Sequence, residues 1–252
     1  TGSSNVGLGH SSLFNNTTAS GNTAVGRSAL DANTTGSANT AVGYGALTDN
    51  ITGVNNTAVG QTALANVLND GNTAIGLSAG GAITSGQYNT ALGLVAMSSG
   101  AITGSYNTAI GYNAHSSTVS VSGQFTLGSA DINNLRCADT SISALSDSRD
   151  KTNIVDIPLG LTFINTVRPV SFDWDARDGS RVGKKDFGFI AQELKTAEDA
   201  TDYANHMRLV HDENPDKLEA DPMKMFPVLV KAVQELSAQV TALTARITEL
   251  GM

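Results

Sequence analysis

A glycine falls four residues after every member of an asparagine series, and this pairing limits the first half of the chain more than any other feature. Asn5, Asn22, Asn39, Asn56, Asn72, Asn89 and Asn107 recur at 16 to 18 residues, with Gln124 in the eighth place. Gly9, Gly26, Gly43, Gly60, Gly76, Gly93, Gly111 and Gly128 follow them. A unit of about 17 residues cannot bury a core of its own, so such units must stack on one another as solenoids do. Leu8, Val25, Val42, Val59, Ile75, Leu92, Ile110 and Leu127 keep one position aliphatic throughout, and this column is expected to face inward. Leu13, Leu30, Leu47, Leu64 and Met97 form a second apolar column. Apolar residues alternating with Thr and Ala, bounded by Gly, Asn and Ser, read as short strands. Each unit is therefore expected to hold two short strands and two turns, with rungs about 4.8 Å apart.

Residues 1–132 are thus read as an all-β repetitive fibre segment, a β-solenoid or β-roll. The asparagines are read as a stacked ladder satisfying turn backbone groups. Calcium-binding repeats would need aspartates at fixed places, and these are missing. Arg27, Asp31, Asp49 and Asp70 are the charged residues of the first 130 positions; Asp31 and Asp49, 18 residues apart, could sit on adjacent rungs as the paired carboxylates of a glycosidase, but nothing else in the segment supports that activity.

Charged residues crowd the remainder, which places a domain boundary near 130 to 145: a linker at 133–145 and a second domain at 146–252. Net charge is −8 and no Lys/Arg cluster marks a phosphate-neutralising face, so nucleic acid is excluded as a partner. No stretch approaches the roughly 18 apolar residues of a membrane span, so no membrane insertion is expected. Cys137 is the one cysteine, which rules out an intrachain disulfide framework and a Cys-based zinc site. No metal or cofactor is expected. The opening Thr-Gly-Ser-Ser suggests a fragment of a longer chain.

Ser146 and Lys151 sit at this composition break. A lysine activates a serine hydroxyl if its pKa falls far below the free value of about 10.4, which burial would achieve with help from Arg149. Five residues advance a helix by about 500°, which would set the two side chains apart, so a loop or tight turn is needed to join them. Were such a pair to cut the chain beside Ser146, the hydroxyl could reach its own preceding carbonyl through a five-membered ring, which would favour the bond between Leu145 and Ser146. The bond between Ser146 and Asp147 stays open if another protomer attacks.

Asn-Thr-Ala-Val-Gly resembles the Asn-Ser-Val-Ala-Ile-Gly repeats of the β-roll heads of trimeric bacterial adhesins. That likeness does not decide whether each chain coils alone or three chains interweave. Ser146, Asp147, Arg149, Lys151 and Ile154 resemble the Ser-Asp-x-Arg-x-Lys-x-x-Ile opening of the auto-processing intramolecular chaperone that ends phage endosialidases and other tail spikes and fibres. Arg168 to Phe172, Phe187 to Leu194 and Phe226 to Leu236 resemble three further landmarks of that family in the right order. The resemblance implies a small α+β chaperone domain that acts once as a serine peptidase. Ser146 would be the nucleophile and Lys151 the base, with Arg149 and Gln192 in support. Phe172, Trp174, Phe187 and Phe189 are read as that domain's core. His206 and His211 are placed in a charged loop without a catalytic role.

From 226 to 250 the chain is read as a long coiled-coil helix, with Leu229, Val233, Leu236, Val240, Leu243, Ile247 and Leu250 spaced as a heptad seam. Pro222 and Pro227 suit its start and Gly251 its end. Val or Ile alternating with Leu leans toward two strands, whereas the family resemblance implies a homotrimer. The whole is expected to be part of a phage virion, a tail fibre folded in the host cytoplasm whose chaperone domain leaves after cleavage. An alternative makes it a host-surface glycan or receptor binder, through Tyr44, Tyr88, Tyr106 and Tyr112, with the C-terminal domain acting solely in trimerisation.

Overall fold

The computed structural model describes residues 2–129, 132, 146–177 and 181–250, in two compact units, Thr1–Leu135 and Arg136–Met252. The expected linker 133–145, with Cys137 and Leu145, lies outside the described residues, as does Gly251.

The first unit is a parallel β-solenoid. Its strands are β1 (Val6–Leu8), β2 (Thr23–Val25), β3 (Thr40–Val42), β4 (Thr57–Val59), β5 (Thr73–Ile75), β6 (Thr90–Leu92), β7 (Thr108–Ile110) and β8 (Phe125–Leu127). They form one eight-stranded sheet in chain order. Equivalent residues of successive units lie level, as in Thr40 with Thr57, Ala41 with Ala58 and Val42 with Val59. Each strand pairs with the next rung of its own chain, so the solenoid is coiled from a single chain.

Two expectations are corrected. Each unit contributes one named three-residue strand, not two. The other side of the rung is a turn in which Leu30, Leu47, Leu64 and Met97 adopt left-handed backbone, φ 49° to 54°. That conformation costs roughly 1–2 kcal/mol for an L residue, and burying a leucine side chain returns about 1.5–3 kcal/mol. All four side chains are fully buried, so the burial offsets the strain.

The second correction concerns which strand position points inward. Ala24, Ala41, Ala58, Ala74, Ala91 and Ala109 are buried, at 0 or 1 % exposure. The aliphatic column beside them faces outward: Leu8 is 66 % exposed, Ile75 44 %, Leu92 41 % and Leu127 46 %. Successive side chains on a strand point to opposite faces, so if Ala is inside, Val, Ile and Leu are outside. The interior is filled mainly by alanines and the left-handed leucines, a narrow section that a second branched column would overfill.

The asparagines form the ladder expected of them. Asn56 Oδ1 accepts from the Asn72 amide at 2.8 Å, while Asn56 Nδ2 donates to the Asn69 carbonyl at 2.9 Å. The same exchange repeats from Asn5 to Gln124. Asn22, Asn39, Asn56, Asn72, Asn89 and Asn107 are fully buried. Asn16, Asn33 and Asn50 make a shorter second ladder. Asp70 Oδ1 accepts from the Val54 amide at 2.8 Å, which gives that carboxylate a structural task.

The second unit is small and α+β. It comprises α1 (Leu161–Ile164), the antiparallel hairpin β9 (Val170–Asp173) and β10 (Lys185–Gly188), α2 (Ala191–Asp199), α3 (Ala204–Met207), β11 (Val210–His211), β12 (Glu219–Ala220) and α4 (Phe226–Glu249). Its core is Phe163, Leu194, Met207, Leu209, Val210, Met225 and Val228, and of the expected aromatic set Phe189 packs against it. Phe187 is 85 % exposed, and Phe172 meets Trp174 edge-on at 5.2 Å on a half-buried face. His206 and His211 lie on α3 and β11 instead of a loop.

Helix α4 has 24 residues, about 36 Å of length, and its faces differ. Val228 and Ala232 are buried. Glu235 reaches across to accept the Leu161 amide at 2.8 Å. The heptad residues Leu229, Val233, Leu236, Val240, Leu243, Ile247 and Leu250 are 44 to 71 % exposed. No helix among the described residues is long and apolar enough to cross a membrane.

Candidate active site

The chain between Ser146 and Ile157 owes its path to one 3-10 turn, Ser148–Asp150. Asp147 caps it, accepting from the Arg149 amide at 2.9 Å, and extended Lys151 closes it by donating its amide to the Ser148 carbonyl. A turn this tight folds the segment back on itself. The Lys151 Nζ lies 2.6 Å from Ser146 Oγ and 3.2 Å from the Ser146 carbonyl oxygen. The geometry agrees with the argument that a regular helix could not join the pair.

Arg149, expected in support of Lys151, pairs with Asp147. Its guanidinium grips Asp147, Nη2 to Oδ2 at 2.6 Å with Nε donating to both carboxylate oxygens at 3.1 Å. The guanidinium holds the Asp147 carboxyl below the usual carboxylate range, and the pairing raises the Arg149 pKa in turn. Arg149 therefore stiffens the turn and neutralises the carboxylate beside Ser146. Gln192 is not brought to the pair. It stands in the first turn of α2 and lines a cleft with Phe172, Trp174, Asp186 and Phe187, whereas Lys151 lines another. The helix start that places Gln192 is braced by Arg168, whose guanidinium pairs with Glu193 at 2.5 Å.

The cleft beside Lys151 is largely apolar and is walled by Ile154, Ile157, Leu159, Tyr203, His206, Met207, Met223 and Val228. Tyr203 and His206 were not anticipated as neighbours of Lys151. Their approach depends on α3, a four-residue helix with no periodic signature in sequence. Ser146 and Lys151 themselves are exposed in the single chain. Leu145, on the acyl side of one candidate bond, lies outside the described residues.

This arrangement offers a hydroxyl, an amine in contact with it and a neutralised carboxylate next door. An amine takes a proton from a hydroxyl while uncharged, and burial is what favours the uncharged form.

No curated protein and no solved structure matches the chain. Residues 146–207 match the family model for the chaperone of endosialidase, a match that begins at Ser146 and, following a β-solenoid, fits a fibre with a C-terminal chaperone domain.

Proposed function

We propose that the chain is part of a phage tail fibre whose C-terminal unit joins three copies through α4, aligns their solenoids and then cuts the chain beside Ser146. The observation that carries this reading is the 2.6 Å contact between Lys151 Nζ and Ser146 Oγ at the edge of the matched segment. The uncovered heptad seam supplies the means of association. Virion location, folding in the host cytoplasm and departure of the chaperone after cleavage follow from this role.

Uncharged Lys151 takes the hydroxyl proton, and Ser146 Oγ attacks the Leu145 carbonyl carbon. The carbon–nitrogen bond breaks, the Ser146 amine leaves with a proton, and an ester remains. Water then hydrolyses the ester, giving a Leu145 carboxylate and restoring the hydroxyl. The lysine proton is returned in these steps, so the reaction consumes one water and no cofactor. Association of three chains covers the exposed pair and supplies the desolvation, which makes cleavage follow assembly.

Intact mass under denaturing conditions tests this directly. The unaltered chain is expected to give two fragments that together account for 25.9 kDa, while Ser146→Ala and Lys151→Ala each stay whole. Equal cleavage in all three removes the Ser-Lys pair from the mechanism.

A second reading, contact with host-surface glycans, is favoured by one feature of the solenoid. Tyr88 and Tyr106 are exposed and stack with ring centroids 5.2 Å apart and planes 16° from parallel. At the equivalent place on the next rung Gly123 has no side chain, which leaves the outer ring face open. Loss of glycan-array binding in Tyr106→Ala would support that reading, and array silence of the processed unaltered segment would end it.

A further inference from the structure

The outward aliphatic column is the least expected feature of the solenoid. Branched side chains stand outside while alanines fill the inside, the reverse of what a lone solenoid in water would favour. The strand threonines share this face, and the residues just past each rung glycine include the exposed Leu77 and Leu94. Arg27 is its one charged member, near one end, and His10, Tyr44 and Tyr112 are its other titratable ones.

We infer that this sheet face is the surface on which the solenoids of separate copies pack, column against column. The inference rests on the trimer proposed above and assigns it a contact along the fibre. The face repeats one aliphatic group per rung of about 4.8 Å over eight rungs and carries almost no charge. A partner that fits every rung must present apolar groups at the same spacing over the same length, and a second copy of this chain does so. Strands in level, parallel register then bring equivalent rungs of the copies together.

Area sets the weight of this contact. Seven rung intervals of about 4.8 Å give a face about 34 Å long, and a strip about 15 Å wide amounts to roughly 500 Å² per copy. Three copies around an axis share about 1,500 Å² among three contacts, about 500 Å² each and below the roughly 1,200–2,000 Å² of a stable specific interface, so the face adds to the association through α4 and does not hold the copies together alone. The face also explains why the seam of α4 is needed first. Its repeats match equally well after a slip of one rung, so it supplies adhesion without register.

The test places single thiols on the full chain in a Cys137→Ser, Ser146→Ala background, so that every copy stays uncleaved. Val59→Cys lies in the face and Thr52→Cys on a turn away from the strand. After copper-phenanthroline oxidation, Val59→Cys is expected to give linked two-chain species at least tenfold more than Thr52→Cys. Native mass is measured alongside, with circular dichroism to confirm the fold of each variant. A trimeric mass with no excess linkage at Val59, and with its thiol open to a water-soluble maleimide, overturns the interface and leaves the trimer reading intact. A single-chain mass overturns both.

Discussion

Asn56 shows how one residue type can carry a repeat. Its amide group serves the Asn72 backbone N–H and the Asn69 carbonyl at once, and it is fully buried. In Asn56→Ala both partners lose their hydrogen bond where water does not reach, at roughly 1–3 kcal/mol each. A lowered guanidinium midpoint is expected, set against the exposed control Thr35→Ala; equal midpoints would remove the ladder as a stabilising element. Gly26→Ala should fare worse. Its φ is +131°, and an added Cβ would meet the Gly43 carbonyl oxygen at 2.5 Å on the next rung. The ladder and the glycine column were legible in sequence because backbone geometry admits few residue types there. The inward direction was not. Alternation says that Ala41 and Val42 face opposite ways, but which faces in depends on the width of the closed rung. That width is set by Leu47 in left-handed backbone, a conformation with no signature in a leucine codon or its neighbours.

Within α4 the buried and exposed stripes make separable predictions. Leu236 and Val240 are 50 and 55 % exposed in the single chain, so Leu236→Asp with Val240→Asp leaves the second unit folded. Native mass is expected to fall to one chain while the far-ultraviolet spectrum keeps its helical signal; retained assembly would take the seam out of association. Val228→Asp acts on the other stripe. It places a charge at a site 4 % exposed within the core, and the second unit should lose its cooperative unfolding transition. Glu235 is the hinge between these effects, since its carboxylate caps the Leu161 amide from 74 residues away. Glu235→Ala should speed hydrogen exchange at Leu161 while leaving native mass unchanged. The long helix was legible from its heptads. The elements between 204 and 220 were not, because a four-residue helix and two-residue strands are shorter than any periodic pattern. The match at 146–207 stops before α4, so the likeness of Phe226 to Leu236 rests on those residues themselves.

At the scale of the whole chain, the order of parts answers a problem that the solenoid creates for itself. Near-identical rungs can pair after a slip of one unit at the loss of about one rung's contacts in eight, so the native register has little energy advantage along the repeat. Parallel pairing between distant residues is also slow. On the proposed function, a non-repeating unit with its own seam would fix which residue of one copy lies level with which of another, before the rungs compete. If cleavage then removes that unit, the assembled fibre retains its register through a kinetic barrier, not because the cut chains would find it again. The consequence is measurable as hysteresis. Uncleaved Ser146→Ala protein, unfolded in guanidinium and diluted, is expected to recover its original native mass and circular dichroism. Processed protein, purified free of the released unit and treated in the same way, should return as mixed oligomers or aggregates. Its unfolding rate in moderate denaturant should nevertheless stay within about tenfold of the uncleaved form, since the rungs that hold it are the same. Equal recovery by both would mean that the repeats set their own register. The second unit would then be an association element whose removal has no bearing on folding.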